Sequence, residues 1–277
     1  MPALSLDLLS AYRARTFCSA PGLRIASVEE AVRYVNERGF VFFWPIKGTI
    51  FPSLWTAAAG DRPVADEHDD PGHVTWGWKD SQLGTKVWYY GRVLKGKNAM
   101  ISLDCLPSFY ALSPNYGEPE SDYLLEYEQG TLRLETRQVF EALLKEGPLD
   151  TLSLRKKARL SGAGSEGPFQ RALEQLQGAF RILPIGVSEA GGWRYSFIYD
   201  LTHRQYPDLI PTAGLISESQ ARQTLAGHFF RSLGAAPLSA LTRLMHWAVP
   251  QAERTVNALV SQGILADCEL EGESGRC

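Results

Sequence analysis

The sequence predicts an α+β protein with tandem winged helix-turn-helix modules behind an aromatic-rich N-terminal α+β domain. Three observations predict it. The second half contains two successive triplets of amphipathic helices. The first triplet runs into two alternating segments divided by Glu189-Ala190-Gly191-Gly192, the pattern of a β-hairpin. The first half instead mixes short apolar runs with Gly/Pro turns, and it holds Trp44, Trp55, Trp76, Trp78, Trp88, Tyr89 and Tyr90. The expected division is an N-terminal domain over 1–129, a first winged-helix module over 130–215, and a second module with a polar tail over 216–277.

In chain order, Ser27 and Glu30 ahead of Val28, Ala31, Val32 and Val35 predict a capped helix ending at Gly39. Phe40 to Trp44 is a short buried strand or turn before Pro45. Pro52-Ser53-Leu54-Trp55 opens another helix, and 61–72 is a polar loop. Thr85–Val93 and Met100–Leu103 read as short strands around Lys95-Gly96-Lys97-Asn98. Residues 114–120 form a loop, and 123–130 a helical connector.

Leu134, Val139, Phe140, Leu143 and Leu144 share one helical face that stops at Gly147-Pro148. Asp150 starts a short helix through Leu160. Phe169, Leu173, Leu176 and Phe180 stripe a third helix. Arg181–Val187 and Trp193–Tyr199 then alternate as paired strands. Three helices and a hairpin make a winged helix. Ser217–Gly234, Pro237–Trp247 and Pro250–Gln262 repeat the helices. Ile264-Leu265-Ala266 begins a strand, and 269–277 is a polar tail.

The chain has 277 residues, 44% hydrophobic and 21% charged, enough to bury a sizeable core. Its net charge of −3 gives no global attraction to nucleic acid or anionic lipid, so any such contact must be local. The only net-positive part is 130–215, at +2. Cys18, Cys105, Cys268 and Cys277 are widely spaced and suggest neither zinc nor a disulfide framework. The first twenty residues lack a long apolar stretch, and no run reaches the ~18 residues of a membrane helix. The expectation is a cytoplasmic protein with no cofactor and no membrane contact; the sequence leaves the oligomeric state open, the monomer being favoured. Neither a Gly-x-Ser-x-Gly elbow nor a phosphate-binding Gly-rich loop occurs.

Gly39 to Leu54-Trp55, the aromatic middle, Gly147-Pro148-Leu149-Asp150 and Leu233-Gly234-Ala235-Ala236 together resemble the YcaQ/AlkZ-like winged-helix DNA glycosylases. The resemblance implies a DNA-repair fold and a Gln-x-Gln or Gln-x-Asp motif after a Leu-Gly-aromatic-hydrophobic lead-in. Here the lead-in matches Arg38-Gly39-Phe40-Val41, and Leu54-Trp55 matches a downstream Leu-Trp pair. The motif positions fall on Phe42 and Trp44, a divergence that removes both polar groups.

Three sets of residues are candidates for function. His68, Asp69 and Asp70, in the run Asp66–His73, combine the residue types of acid–base or metal chemistry; the plain alternative is a solvated acidic loop. Trp44 and Trp55 are candidates to stack an extruded base, although large aromatics commonly build cores. Arg155, Lys156, Lys157 and Arg159 on the second helix join Gln170 and Arg171 on the third and Arg194 in the wing as a DNA-binding set. The expected function is DNA binding without the family's usual catalytic motif. An active glycosylase using displaced acidic and His residues, and a protein-interaction module, remain alternatives.

Overall fold

Side-chain caps set the helix starts that place the aromatic residues. In the computed structural model, which describes residues 3–115, 117–191 and 194–271, β1 (Ala3–Leu4) leads into α1 (Leu6–Thr16), capped by Ser5. Ser27 caps α2 (Val28–Arg38), and Gly39, at φ 82°, ends it in a conformation costly for a side chain. A Cβ there would also lie 2.5 Å from the His228 ring. β2 (Phe40–Phe42) follows directly, and Ser53 caps α3 (Leu54–Ala59). A 3₁₀ turn at Pro71–His73 precedes α4 (Val74–Gln82).

β3 (Tyr89–Leu94) and β4 (Lys97–Ile101) form a hairpin, and β2 pairs antiparallel with β4, giving the order β2-β4-β3. Alternation along these strands feeds two cores. Phe40, Phe42, Tyr89 and Ile101 face one; Val41, Tyr90 and Met100 face the other with α2 and α3. A sheet covered on both faces explains why all of Phe40–Phe42 is apolar. The expected pair of strands is therefore present, although the second begins earlier, at Lys97.

After α5 (Leu106–Ala111) and α6 (Asp122–Glu128), the chain builds the predicted winged-helix plan. It runs through α7 (Leu134–Glu146), β5 (Leu149–Asp150), α8 (Thr151–Lys157), α9 (Glu166–Gly178), β6 (Ile182–Ser188) and β7 (Ser196–Leu201). Its sheet has the order β5-β7-β6 and is antiparallel. Asp150 caps α8 by accepting from the Leu152 and Ser153 amides. That helix stops at Lys157 rather than running to Leu160, because Arg159 turns to φ 60°. The wing's Gly192 and Trp193 lie outside the described residues.

Two short helices, α10 (Thr202–Gln205) and α11 (Leu209–Gly214), lead to the second triplet. It comprises α12 (Glu218–Leu233), α13 (Leu238–Met245) and α14 (Val249–Ser261). Ser217 and Gln220 close a capping box on α12. The expected strand at Ile264–Ala266 is not formed. The chain continues irregularly to β8 (Glu269–Leu270), which pairs parallel with β1. The expected polar tail is thus corrected over its first residues: Leu270 is buried against Leu9 and Ala235. No helix among the described residues is long and apolar enough to cross a membrane.

Candidate functional site

The bend after β2 and the start of α3 bring Trp44 and Trp55 together. Backbone bonds hold them, since Phe42 N–H donates to Pro52 O and Trp55 N–H to Phe43 O. Their rings stack with centroids 5.5 Å apart and planes 11° apart. His73 sits edge-on to both rings, at 6.0 and 5.2 Å, and Trp76 is edge-on to Trp44 at 6.0 Å. Trp55 is completely buried, so of the two expected stacking residues it forms the floor. The reachable π-surface is half-buried Trp44 and His73 with Trp76, which is 39% exposed.

The acidic loop is fastened beneath this surface. The Arg62 guanidinium lies 5.0 Å above the Trp55 ring, while Trp55 Nε1–H donates to Arg62 O. Asp70 accepts two bonds from Arg62, at 2.9 and 2.5 Å, and one from the Gly72 amide at 2.7 Å. The Arg62 bonds first, and the Gly72 amide second, hold the Asp70 carboxyl below the ordinary carboxylate range. Gly72 is required here, because a Cβ would come within 2.7 Å of the Trp55 ring. His68 and Asp69 are exposed on the loop. Among the described residues, no three His, Cys, Asp or Glu side chains converge to hold a metal.

Phe42 and Trp44, where the resemblance expects the motif, take different surroundings. Phe42 is fully buried and meets Phe51 edge-on at 6.0 Å. Trp44, beyond the end of the strand, packs with the core on the other side of the sheet. Neither ring can orient a water as an amide or carboxylate does.

Sequence reasoning missed Lys79. It lies one turn beyond Trp76 on α4 and is 1% exposed. Its Nζ is 2.6 Å from Asp80 Oδ1 and donates to Tyr195 Oη at 2.8 Å. Phe43, Trp76, Tyr90, Tyr195 and Phe197 surround it, with ring centroids 4.7–5.8 Å away. Burial lowers the Lys79 pKa against the opposing pull of Asp80. Tyr195 donates to Asp80 at 2.9 Å, and its own phenol pKa is raised by burial and then by that carboxylate. Cation–π attraction strengthens on desolvation, so this box joins α4 to the base of the wing. The missing signal was α4 itself: on a helix, Thr75 and Lys79 share the inward face.

The expected DNA-binding set is split by its partners. Arg155 is taken up by Glu166 at 2.5 Å and packs over Phe169; Lys157 pairs with Glu146 at 3.1 Å. Gln170 donates to Glu166 at 2.9 Å. Lys156, Arg159, Arg171 and Arg194 are exposed, and no ion pair engages them among the described residues. Arg171 lines a surface pocket of about 240 Å³ with Arg133, between the start of α7 and the middle of α9.

The family described as AlkZ related matches residues 25–246, and the chain belongs to that family. The fold is similar to the solved structure of Streptomyces sahachiroi DNA glycosylase AlkZ. The TM-score is 0.57 at 13% identity, over 100% of this chain and 70% of that one. No curated protein matches the sequence.

Proposed function

We propose that this AlkZ-related protein binds DNA through its first winged-helix module and offers the Trp44–Trp76 surface to an unstacked base, without performing Gln-x-Gln/Asp chemistry. The observation that carries this reading is the partly exposed aromatic ladder at the family's motif position, joined to the wing through Trp76 and Tyr195, whose centroids are 6.0 Å apart. Stacking on an aromatic side chain contributes about 1–3 kcal/mol per base and tolerates any base. The exposed cations Lys156, Arg159, Arg171 and Arg194 supply phosphate contacts, which orient a duplex without reading it. Segments 1–129, 130–215 and 216–277 then divide the work into base surface, backbone reader and support. N-glycosidic cleavage needs a group that stabilises a sugar cation and places water, and Phe42 and Trp44 offer only π-faces.

Fluorescence anisotropy over a salt series tests the proposal. Log affinity falls linearly with log salt. Lys156→Ala with Arg171→Ala weakens binding to all duplexes alike, and Trp76→Ala weakens chiefly those with an unpaired base. Unchanged affinity in both variants rejects the interface. A second reading, base excision by the loop, is favoured by the edge-on contact of His73 with both stacked tryptophans. Release of methylated or crosslinked bases that Asp69→Asn abolishes would replace the first reading with the second.

A further inference from the structure

A cavity of about 290 Å³ opens on another part of the molecule, between α1, residues 48–50, the β3–β4 turn and α13. It shares no lining residue with the aromatic ladder. Its floor is apolar, built by Leu9, Phe229, Leu233 and Leu244. Its rim carries Lys95 and Arg243 with the hydroxyls of Ser10 and Thr49. Among the described residues no Asp or Glu lines it.

The cations are held there by the fold. Lys95 and Gly96 take φ values of 53° and 65°, the paired left-handed geometry of a tight hairpin turn. That turn brings Lys95 Nζ to Thr49 Oγ1, to which it donates at 3.3 Å. Arg243 lies in the last turn of α13 and is exposed. Neither side chain forms an ion pair with a described residue. In the wall, Arg13 donates to Leu233 O and Ala235 O at the end of α12.

We infer that this cavity binds a small organic phosphate, with the phosphoryl group between Lys95 and Arg243 and the organic body on the Leu9–Phe229–Leu244 floor. An apolar floor with a few polar groups at one edge is the usual construction of a small-ligand site, and about 300 Å³ is the lower end of the range. Cations suit a phosphate, and the absence of carboxylates among the described lining residues suits it further. A free nucleotide and the terminal phosphate of a DNA strand share this chemistry.

Calorimetric titration of the full chain separates them. The probes are inorganic phosphate, a nucleoside monophosphate, the unphosphorylated nucleoside, and one oligonucleotide with and without a 5′-phosphate. The expected result is saturable binding of the monophosphate, with the nucleoside at least about tenfold weaker, as one charge-assisted contact implies. Lys95→Asn, which keeps a residue tolerant of the left-handed turn, and Arg243→Ala each weaken it about tenfold while leaving the melting temperature unchanged. A 5′-phosphate dependence of oligonucleotide binding lost in the same variants assigns the site to a strand end, and monophosphate binding alone assigns it to a free nucleotide. Equal binding of nucleoside and monophosphate, no binding of any phosphate probe, or wild-type affinity in the double variant overturns the inference. Trp76→Ala leaves this site intact, so its failure and that of the DNA interface are separable.

Discussion

The two helical triplets use one plan for opposite ends. Helices α7, α8 and α9 enclose a core of their own, in which Phe140, Phe169 and Leu176 meet Ile182, Tyr199 and Leu201 from the wing strands. Helices α12, α13 and α14 have no hairpin among the described residues. They give Leu225, Phe229, Leu241 and Leu259 to the core beneath the N-terminal sheet, where Phe229 stacks on Phe51 at 5.9 Å. A triplet that keeps its own sheet buries most of its apolar face within the module; Phe180, expected on the third-helix stripe, instead follows α9 at φ 56° and crosses with Leu183 to the core beneath the N-terminal sheet. A triplet without one must borrow a sheet, and it becomes a wall of the core beneath the N-terminal sheet.

The hardest test of this contrast is a pair of truncations. Phe229→Ala and Phe169→Ala are each expected to cost about 3–5 kcal/mol in chemical denaturation, as fully buried Phe→Ala changes do. They should differ in reach. Phe229→Ala should accelerate amide exchange in β2 and β4, whereas Phe169→Ala should spare them. Protected β2 amides in the Phe229 variant would break the comparison.

The join between α4 and the wing comes next. Asp80→Asn leaves the Lys79 ammonium buried without its counter-charge and is expected to cost about 3 kcal/mol. Lys79→Met combined with Asp80→Asn should cost less than Asp80→Asn alone, because the buried charge leaves with its partner. The Lys79 pKa is lower in the folded chain, so between its folded and unfolded values the unfolded state binds more protons. This group's contribution to stability therefore rises with pH through that window, and Lys79→Met should flatten the alkaline part of a melting-temperature profile.

A smaller effect compares the caps. Asp150→Ala in the first triplet and Ser217→Ala in the second should each cost about 1 kcal/mol. Asp150→Ala should be the larger, since its carboxylate also accepts from Ser153 Oγ at 2.6 Å. The smallest concerns the Asp70–Arg62 link. Its folded carboxyl is depressed, so its contribution is present above the unfolded pKa and fades as pH falls through the folded one. Tryptophan emission from the Trp55 stack should report a transition more acidic than an ordinary aspartate, and Asp70→Asn should remove it.

Local chemistry by itself determined the helices of both triplets and the hairpin. Ser27, Ser53, Asp150 and Ser217 each announce a helix start through a bond made within three residues, and the Phe169–Leu173–Leu176 stripe reports a period that only a helix satisfies. The same locality made Trp44 legible as an aromatic candidate for base stacking. Other features depend on partners far along the chain. Whether Trp55 or Trp76 reaches solvent was decided by the loop that Arg62 and Asp70 fold over one of them. The Lys79 box needs Tyr195 and Phe197, which arrive from the wing. The pairing of Ala3–Leu4 with Glu269–Leu270 links opposite ends of the chain, so no window of sequence contains it. The tertiary structure decided these because burial and charge pairing depend on which surfaces meet in space, whereas capping and periodicity act between residues that are already neighbours in the chain.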